Sequence, residues 1–187
     1  MDARRYRGRS GVGSSVDPGE PVGPVRTRVW IEEYRWLRSL LGSERNECPT
    51  FRFPDLISAC VSHVLADSNG PRRIFQYLRT QLVLRDDRTP RREQSMWRQQ
   101  YEMVLALQLS PANLHPNPNF KLDQLTTACA ALSRRDDESG ESVFRHARMN
   151  VAGRYSEEEE AAPGRAAEQG VGERAPSRAS SRTTTAA

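Results

Sequence analysis

The sequence predicts a mainly α-helical fold made by internal duplication, with one short extended segment in each copy. Two observations carry this prediction. Uncommon residues recur in the same order in two parts of the chain, and apolar residues follow helical spacing in both parts. In addition, both ends of the chain are poor in large apolar residues, so we expect disordered tails on either side of a folded centre.

The repeat becomes visible when Trp30 is aligned with Trp97. Tyr34 then falls on Tyr101, and after a loop of slightly different length the matches continue without a further gap. The other matched pairs are Leu40 and Leu107, Phe51 and Phe120, Leu56 and Leu125, Ala59-Cys60 and Ala128-Cys129, Asp67 and Asp136, Ile74-Phe75 and Val143-Phe144, and Arg79 and Arg148. Because Trp, Tyr, Phe and Cys are uncommon, matches of these types in one order indicate a duplication.

Each copy is predicted to contain a helix, a short strand and two further helices. Trp30, Tyr34 and Leu37 have the spacing of one helix face. Polar and apolar residues alternate over 50–53 and again over 119–122, which is the period of a half-buried strand. Breaker clusters at 67–70 and 137–140 separate the last two helices. Two such strands are able to pair into an antiparallel ribbon.

These elements divide the chain into five parts. Residues 25–84 are predicted to form the first repeat and residues 96–153 the second, which we expect to end near Gly153. Residues 85–95 are a charged linker, whose arginines alternate with aspartates. Residues 1–24 and 154–187 are the two tails.

Composition and motifs argue against several classes of protein. No stretch approaches the roughly 20 apolar residues that cross a bilayer, and no apolar run follows the N-terminal arginines, so we expect a cytoplasmic protein without a membrane partner. The three cysteines and three histidines are not spaced as metal ligands, so we expect no metal and no cofactor. The net charge of +4 permits a polyanionic partner.

Phe51-Arg52-Phe53-Pro54-Asp55-Leu56, followed by Asn69-Gly70-Pro71-Arg72-Arg73, resembles the ribbon-helix-helix family of DNA-binding proteins. Phe120-Lys121-Leu122-Asp123-Gln124-Leu125 and Ser139-Gly140-Glu141-Ser142 repeat the pattern. The resemblance implies a ribbon that reads bases in the major groove of double-stranded DNA and a last helix whose start grips phosphate. The implied DNA-binding residues are Thr50, Arg52, Asn119 and Lys121 on the ribbon, with Arg72 and Arg73 on phosphate.

The same resemblance implies a single-chain pseudo-dimer, similar to the tandem accessory proteins that act in plasmid partition or transfer. We therefore expect a transcriptional regulator or an accessory factor of a mobile element. In the second copy Glu141 stands where a basic residue would grip phosphate, so that grip is in doubt. Whether the copies pair within one chain or between chains of a homo-oligomer stays open.

A second register of the ribbon is kept open. Val25-Arg26-Thr27-Arg28-Val29-Trp30-Ile31 also alternates, with 32–41 and 54–66 as the two helices that follow. In that register Arg26 and Arg28 face the groove. The equivalent segment, Arg92-Glu93-Gln94-Ser95-Met96, is less typical of a strand, which favours the first register.

We expect no enzyme and no small-molecule substrate. Ser58 and Ser62 lie beside His63, but no carboxylate is placed to orient that histidine as a catalytic base. The alternative function is a helical adaptor without a nucleic-acid role, in which the helices around Trp30, Trp36 and Trp97 present a groove to a partner helix.

Overall fold

The computed structural model describes residues 23–85, 88–114 and 120–160. The described part of the first repeat contains β1 (Val25–Trp30), α1 (Ile31–Leu41), α2 (Phe53–Leu65) and α3 (Gly70–Thr80). The predicted linker and the second repeat together contain β2 (Arg91–Met96), α4 (Arg98–Gln108), α5 (Pro111–Leu114), α6 (Leu122–Asp136) and α7 (Glu141–Glu160). Short 3-10 turns lie at Glu44–Asn46 and Leu82–Leu84. The predicted mainly helical, duplicated fold with a two-stranded ribbon is confirmed.

The ribbon forms from β1 and β2, which pair antiparallel. Thr27 lies opposite Gln94 at its centre, with Val25 opposite Met96 at one end and Trp30 opposite Arg91 at the other. Each strand leads directly into a helix, α1 or α4. The ribbon therefore uses the second of the two registers that the sequence left open.

The prediction that residues 50–53 and 119–122 form the strands is wrong. The backbone around Arg52 is extended, but Phe53 begins α2 and Leu122 begins α6. The Asn46 side chain forms hydrogen bonds with the Phe51 backbone groups that a neighbouring strand would otherwise bind. Asn46 Oδ1 accepts from the Phe51 backbone N–H at 2.8 Å, and Asn46 Nδ2 donates to the Phe51 carbonyl oxygen at 3.1 Å.

The second repeat contains the same asparagine bridge. Asn113 Oδ1 accepts from the Phe120 N–H at 2.9 Å, and its Nδ2 donates to the Phe120 carbonyl at 3.0 Å. Nδ2 of Asn113 also donates to the Gln108 carbonyl at 2.8 Å, as Nδ2 of Asn46 does to the Leu41 carbonyl at 3.1 Å. Both asparagines are buried, so a buried amide in each repeat satisfies three backbone groups.

The helices α2 and α6 form the centre of the fold and pack against each other. Both begin with acidic or amide side chains that suit a helix N-terminus: Asp55 Oδ2 accepts from the Arg52 N–H at 2.9 Å, and Gln124 Oε1 accepts from the Lys121 N–H at 2.8 Å. The side chains they bury completely or almost completely include Leu56, Cys60, Val61 and Val64 from α2, and Leu125, Ala128 and Cys129 from α6. Burying these apolar groups drives the two repeats together.

The segment that we interpreted as a linker contains most of β2, so the two repeats are joined through the ribbon itself. Arg85 holds the start of this segment against the first repeat. Its guanidinium donates to both carboxylate oxygens of Glu33 at 2.9 Å and lies 5.6 Å from the centroid of a Trp30 ring. Glu33 is 2% exposed, so this bidentate pair satisfies a buried carboxylate.

The chain divides into two compact units, Met1–Asn150 and Val151–Ala187. In the second unit the described residues are 151–160, which belong to α7. The helix thus extends past Gly153, where we expected it to end. Most of the predicted tails, residues 1–22 and 161–187, lies outside the described residues.

Candidate nucleic-acid interface

One face of the ribbon is turned away from the helices. Side chains alternate between the two faces of a strand, and Thr27 and Val29 are buried on the inner face while Arg26 and Arg28 are exposed. The register places Ser95 opposite Arg26 and Glu93 opposite Arg28. We call the four side chains of Arg26, Arg28, Glu93 and Ser95 the outer face of the ribbon.

The charges on the outer face are uneven. β1 contributes two arginines, whereas β2 contributes one glutamate and one serine. Arg26 Nη1 lies 3.5 Å from Glu93 Oε1, and the two side chains are 88% and 56% exposed. A pair this exposed contributes at most about 1 kcal/mol, so a ligand is able to compete for either partner.

Two cross-repeat hydrogen bonds fix the ribbon on the helices below it. The Trp30 backbone N–H donates to Thr127 Oγ1 of α6 at 3.3 Å, and the Trp97 backbone N–H donates to Ser58 Oγ of α2 at 2.9 Å. Both bonds join equivalent positions, because Trp30 matches Trp97 and Ser58 matches Thr127 in the repeat. Each strand is therefore anchored at its end on the central helix of the other repeat, and the outer face has a rigid support.

The start of α6 lies beside the outer face. Arg26, Thr27, Arg28 and Glu93 line a depression of about 380 Å³ together with Leu122 and Asp123, the first two residues of α6. Arg91 Nη1 lies 2.8 Å from Asp123 Oδ2, which holds that carboxylate against the ribbon. Lys121, which directly precedes α6, is exposed.

Arg52 has the equivalent place at the start of α2. Its side chain is 73% exposed, and its Nε lies 3.9 Å from Asp55 Oδ2. The other carboxylate oxygen of Asp55 accepts from Trp97 Nε1 at 2.7 Å, which ties the start of α2 to the residue that follows β2. Arg52 and Lys121 therefore stand at the starts of the two central helices and not on strands.

The remaining predicted site residues are not brought together. Thr50 is exposed in the loop before α2, where its Oγ1 donates to the Glu47 carbonyl at 3.3 Å. Asn119 lies outside the described residues. The predicted pairing of Arg52 with Lys121 across a ribbon is wrong, because each of them directly precedes a helix and the asparagine bridges occupy the backbone of Phe51 and Phe120.

Arg72 and Arg73 lie in the first turn of α3. Arg72 is exposed. Arg73 Nη2 donates to both carboxylate oxygens of Asp136 at 2.6 Å and its Nη1 lies 3.5 Å from Asp67 Oδ2. The hydrogen bond to Asp136 raises the pKa of Arg73. Arg73 thus joins the two repeats through α6.

Glu93 and Ser95 were missed as site residues, and Arg26 and Arg28 belonged to the less favoured register. The signal that would have found them is the repeat itself. The residues before Trp30 and before Trp97 occupy equivalent positions of the two repeats. In the structure both segments are strands, and each is followed by the first helix of its repeat, α1 or α4. The irregular composition of β2, Arg-Arg-Glu-Gln-Ser-Met, hid this signal.

Comparison of this chain with models of protein families, with curated proteins and with solved structures finds no match. None of the described helices is both long enough and apolar enough to cross a membrane. In the described part of the chain, no three His, Cys, Asp or Glu side chains are grouped as metal ligands.

Proposed function

We propose that the chain binds double-stranded DNA by placing the outer face of the β1–β2 ribbon in the major groove. The observation that carries this proposal is the centring of the ribbon on Thr27 and Gln94, which are equivalent residues of the two repeats. One polypeptide thereby supplies both strands of a two-stranded reading element, with Arg26 and Arg28 exposed on it. A two-stranded ribbon fits the major groove, which is about 12 Å wide.

The side chains of the outer face suit base edges. Arg26 and Arg28 are able to donate two hydrogen bonds each to O6 and N7 of guanine. Glu93 is able to accept a hydrogen bond from N4 of cytosine. The Ser95 hydroxyl is able to donate a hydrogen bond to a base or to accept one from it. Glu93 also lowers the positive charge of this face, so we assign the face to base recognition more than to phosphate attraction.

Phosphate contacts are assigned to the starts of α2 and α6. Arg52 and Lys121 are exposed there, at equivalent positions of the two repeats. A helix N-terminus favours an anion, and a basic side chain beside it strengthens the attraction. Two equivalent phosphate contacts on either side of a ribbon would fix its orientation in the groove without reading sequence.

Duplex selection tests the proposal. Random double-stranded DNA is selected with the full chain, and the selected duplex is then titrated at several salt concentrations. We expect binding to weaken steeply with salt, since contacts to phosphate release counterions. Arg28→Ala should cost roughly 1–3 kcal/mol and relax the preference at one or two base positions. Lys121→Ala should weaken all duplexes alike and reduce the salt dependence.

Arg148→Ala is the matched control. It removes the same charge from an exposed position on α7, outside the ribbon and the starts of α2 and α6. We expect this variant to bind the selected duplex as the original chain does. Selection that enriches no sequence, or equal losses from Arg28→Ala and Arg148→Ala, would remove the ribbon as the reading element.

The alternative function is an adaptor that presents a groove around Trp30, Trp36 and Trp97. Trp30 is 1% and Trp36 is 7% exposed, and Trp36 Nε1 donates to the Glu138 carbonyl at 3.2 Å. Trp97 is half-buried with its Nε1 on Asp55. Trp30 and Trp36 pack inside the fold, so an adaptor would need a surface that does not depend on these two side chains.

A further inference from the structure

A groove lies between the first repeat and the second. It runs along α3 beside the end of α4 and α5 and has a volume of about 750 Å³. Its lining residues are Pro71, Arg72, Phe75, Gln76, Arg79, Thr80, Leu107, Ser110 and Ala112. We call it the α3–α5 groove. It lies apart from the outer face of the ribbon, with which it shares no lining residue.

The equivalent place, between α1 of the first repeat and the turn before α7 of the second, is closed. Leu40, the match of Leu107, lies directly over Gly140, where an added Cβ would be 2.6 Å from Leu40 Cδ2. Leu40 is 5% exposed there. Gly140 also has a φ of 76°, which favours glycine. Leu40 of α1 thus packs closely on the turn before α7 because residue 140 is a glycine and has no side chain.

Two substitutions between the repeats open the groove. Pro71 stands where the other repeat has Gly140, so its ring prevents Leu107 from packing as Leu40 does. Met103 stands where the other repeat has Trp36, whose indole closes the gap by donating to the Glu138 carbonyl at 3.2 Å. At the equivalent place, Trp36 and Leu40 of α1 occupy the space that the α3–α5 groove leaves open.

The floor of the groove is apolar and its rim is basic. Phe75 belongs to the hydrophobic core and Leu107 packs partly buried against it. Arg72 and Arg79 line the groove on the α3 side, seven positions apart, which is about 10 Å or two turns along one helix face. Arg79 Nη2 donates to the Ala112 carbonyl at 3.3 Å, which places its guanidinium at the α5 end. Among the described residues that line the groove, none is Asp or Glu.

We infer that the α3–α5 groove binds an acidic amphipathic helix of a partner protein. Carboxylates two turns apart on that helix match the spacing of Arg72 and Arg79, and large apolar side chains between them cover Phe75 and Leu107. The chemistry is that of a helix-in-groove interface, with apolar anchors for affinity and a charged rim for orientation. The inference does not depend on DNA binding by the ribbon.

A synthetic peptide serves as the probe. It is a helical peptide of about 15 residues that carries two Glu residues seven positions apart, with Leu and Trp between them on the same face. Its binding to the full chain is measured by fluorescence anisotropy. We expect saturable binding that falls about tenfold or more for the double variant Arg72→Glu, Arg79→Glu. The same variant should gain binding of a peptide with Lys in place of both Glu residues.

A second variant fills the groove without changing charge. Gln76→Trp places an indole on α3 between Arg72 and Arg79, and we expect it to abolish probe binding. Arg148→Glu on α7 is the control, since Arg148 is the repeat equivalent of Arg79, and it should leave binding unchanged. Circular dichroism of each variant confirms that the helices are retained.

Three results would overturn the inference. The first is no saturable binding of the acidic peptide at millimolar concentration. The second is equal binding of the Glu and Lys peptides to the original chain. The third is displacement of the peptide by duplex DNA together with loss of DNA binding in the Arg72→Glu, Arg79→Glu variant, which would assign the groove to nucleic acid.

Discussion

Thr27 and Gln94 lie opposite each other at the centre of the ribbon, and they are equivalent residues of the two repeats. An antiparallel pairing that is centred on equivalent residues makes the ribbon pseudo-two-fold symmetric in its backbone. Its outer face is not symmetric in chemistry, because Glu93 and Ser95 are the equivalents of Arg26 and Arg28. A backbone with two-fold symmetry thus presents two different sets of side chains.

This asymmetry predicts a non-palindromic DNA site. A dimer of identical chains reads the same bases in both half-sites, whereas here one strand presents two arginines and the other a glutamate and a serine. We expect the selected duplexes to hold guanines at the positions read by β1 and a different base set at those read by β2. The double variant Glu93→Arg, Ser95→Arg should shift the selected site towards a palindrome. A palindromic site for the original chain would contradict the asymmetric reading.

The two asparagine bridges predict equal losses of stability. Asn46→Ala and Asn113→Ala each leave one backbone N–H and two carbonyl groups without their amide partner in a buried place. We expect each to lower the free energy of unfolding by about 2 kcal/mol or more, measured by urea denaturation. Asn69→Ala is the control, since that exposed side chain makes no cap hydrogen bond, and we expect a change within about 0.5 kcal/mol. A much smaller loss for Asn113 than for Asn46 would show that the bridges are not equivalent.

The asparagine bridges also explain which part of the fold could be predicted from the sequence. The alternation of polar and apolar residues around Phe51 and Phe120 correctly indicated extended backbone at Arg52 and Lys121. The repeat correctly matched these two segments of the chain with each other. Sequence periodicity reports burial of side chains, but not which group satisfies the backbone hydrogen bonds. A buried amide from Asn46 or Asn113 takes the role of a neighbouring strand, and nothing in the local pattern distinguishes the two cases.

The site was harder to predict than the helices. Helices α2 and α6 follow from apolar spacing and from Pro54 or Asp123 near their starts, because these signals act within one segment. The ribbon pairs residues far apart in sequence, and Arg91–Met96 has few of the β-branched residues that favour strands. Packing on the central helices, through Thr127 and Ser58, overrides that weak preference. Only the match of Trp30 with Trp97 links the two strands at the level of sequence.

The buried cysteines predict that one thiol of three reacts in the folded chain. Cys60 and Cys129 are equivalent residues at the packed centre of α2 and α6, and both are at most 1% exposed. Burial raises the pKa of Cys60 to about 12 and also raises that of Cys129, so neither forms the reactive thiolate near neutral pH. Cys48 is exposed.

Titration with a thiol-reactive disulfide dye measures this difference. We expect one equivalent to react rapidly in native buffer and three in denaturant. Cys48→Ser should remove the rapid reaction and leave the other two thiols unchanged. Rapid reaction of more than one thiol in the original chain would show that α2 and α6 separate readily.

The lowered pKa of His63 leads us to expect that the stability of the folded chain depends on pH. Its pKa lies below the ordinary value of 6.5, chiefly because burial disfavours the charged ring, and the neighbouring His146, 5.1 Å away between ring centroids, adds repulsion. Arg73 and Arg145 lower it further, while Asp136, whose Oδ2 lies 3.6 Å from His63 Nε2, opposes the shift. His63 is therefore neutral in the folded chain at a pH where it already binds a proton in the unfolded chain.

The sign of the effect follows from proton binding. As pH falls below about 6.5, the unfolded chain binds a proton that the folded chain does not, so the free energy of unfolding falls. His63→Gln cannot take up that proton, and we expect the melting temperature of this variant to fall less between pH 7 and pH 5 than that of the original chain. His146→Gln is a second variant, which keeps His63 but removes one cause of its lowered pKa. We expect the fall in melting temperature of this variant to lie between that of the original chain and that of His63→Gln. If the melting temperatures of the original chain and of His63→Gln fall equally between pH 7 and pH 5, the acid sensitivity belongs to other groups.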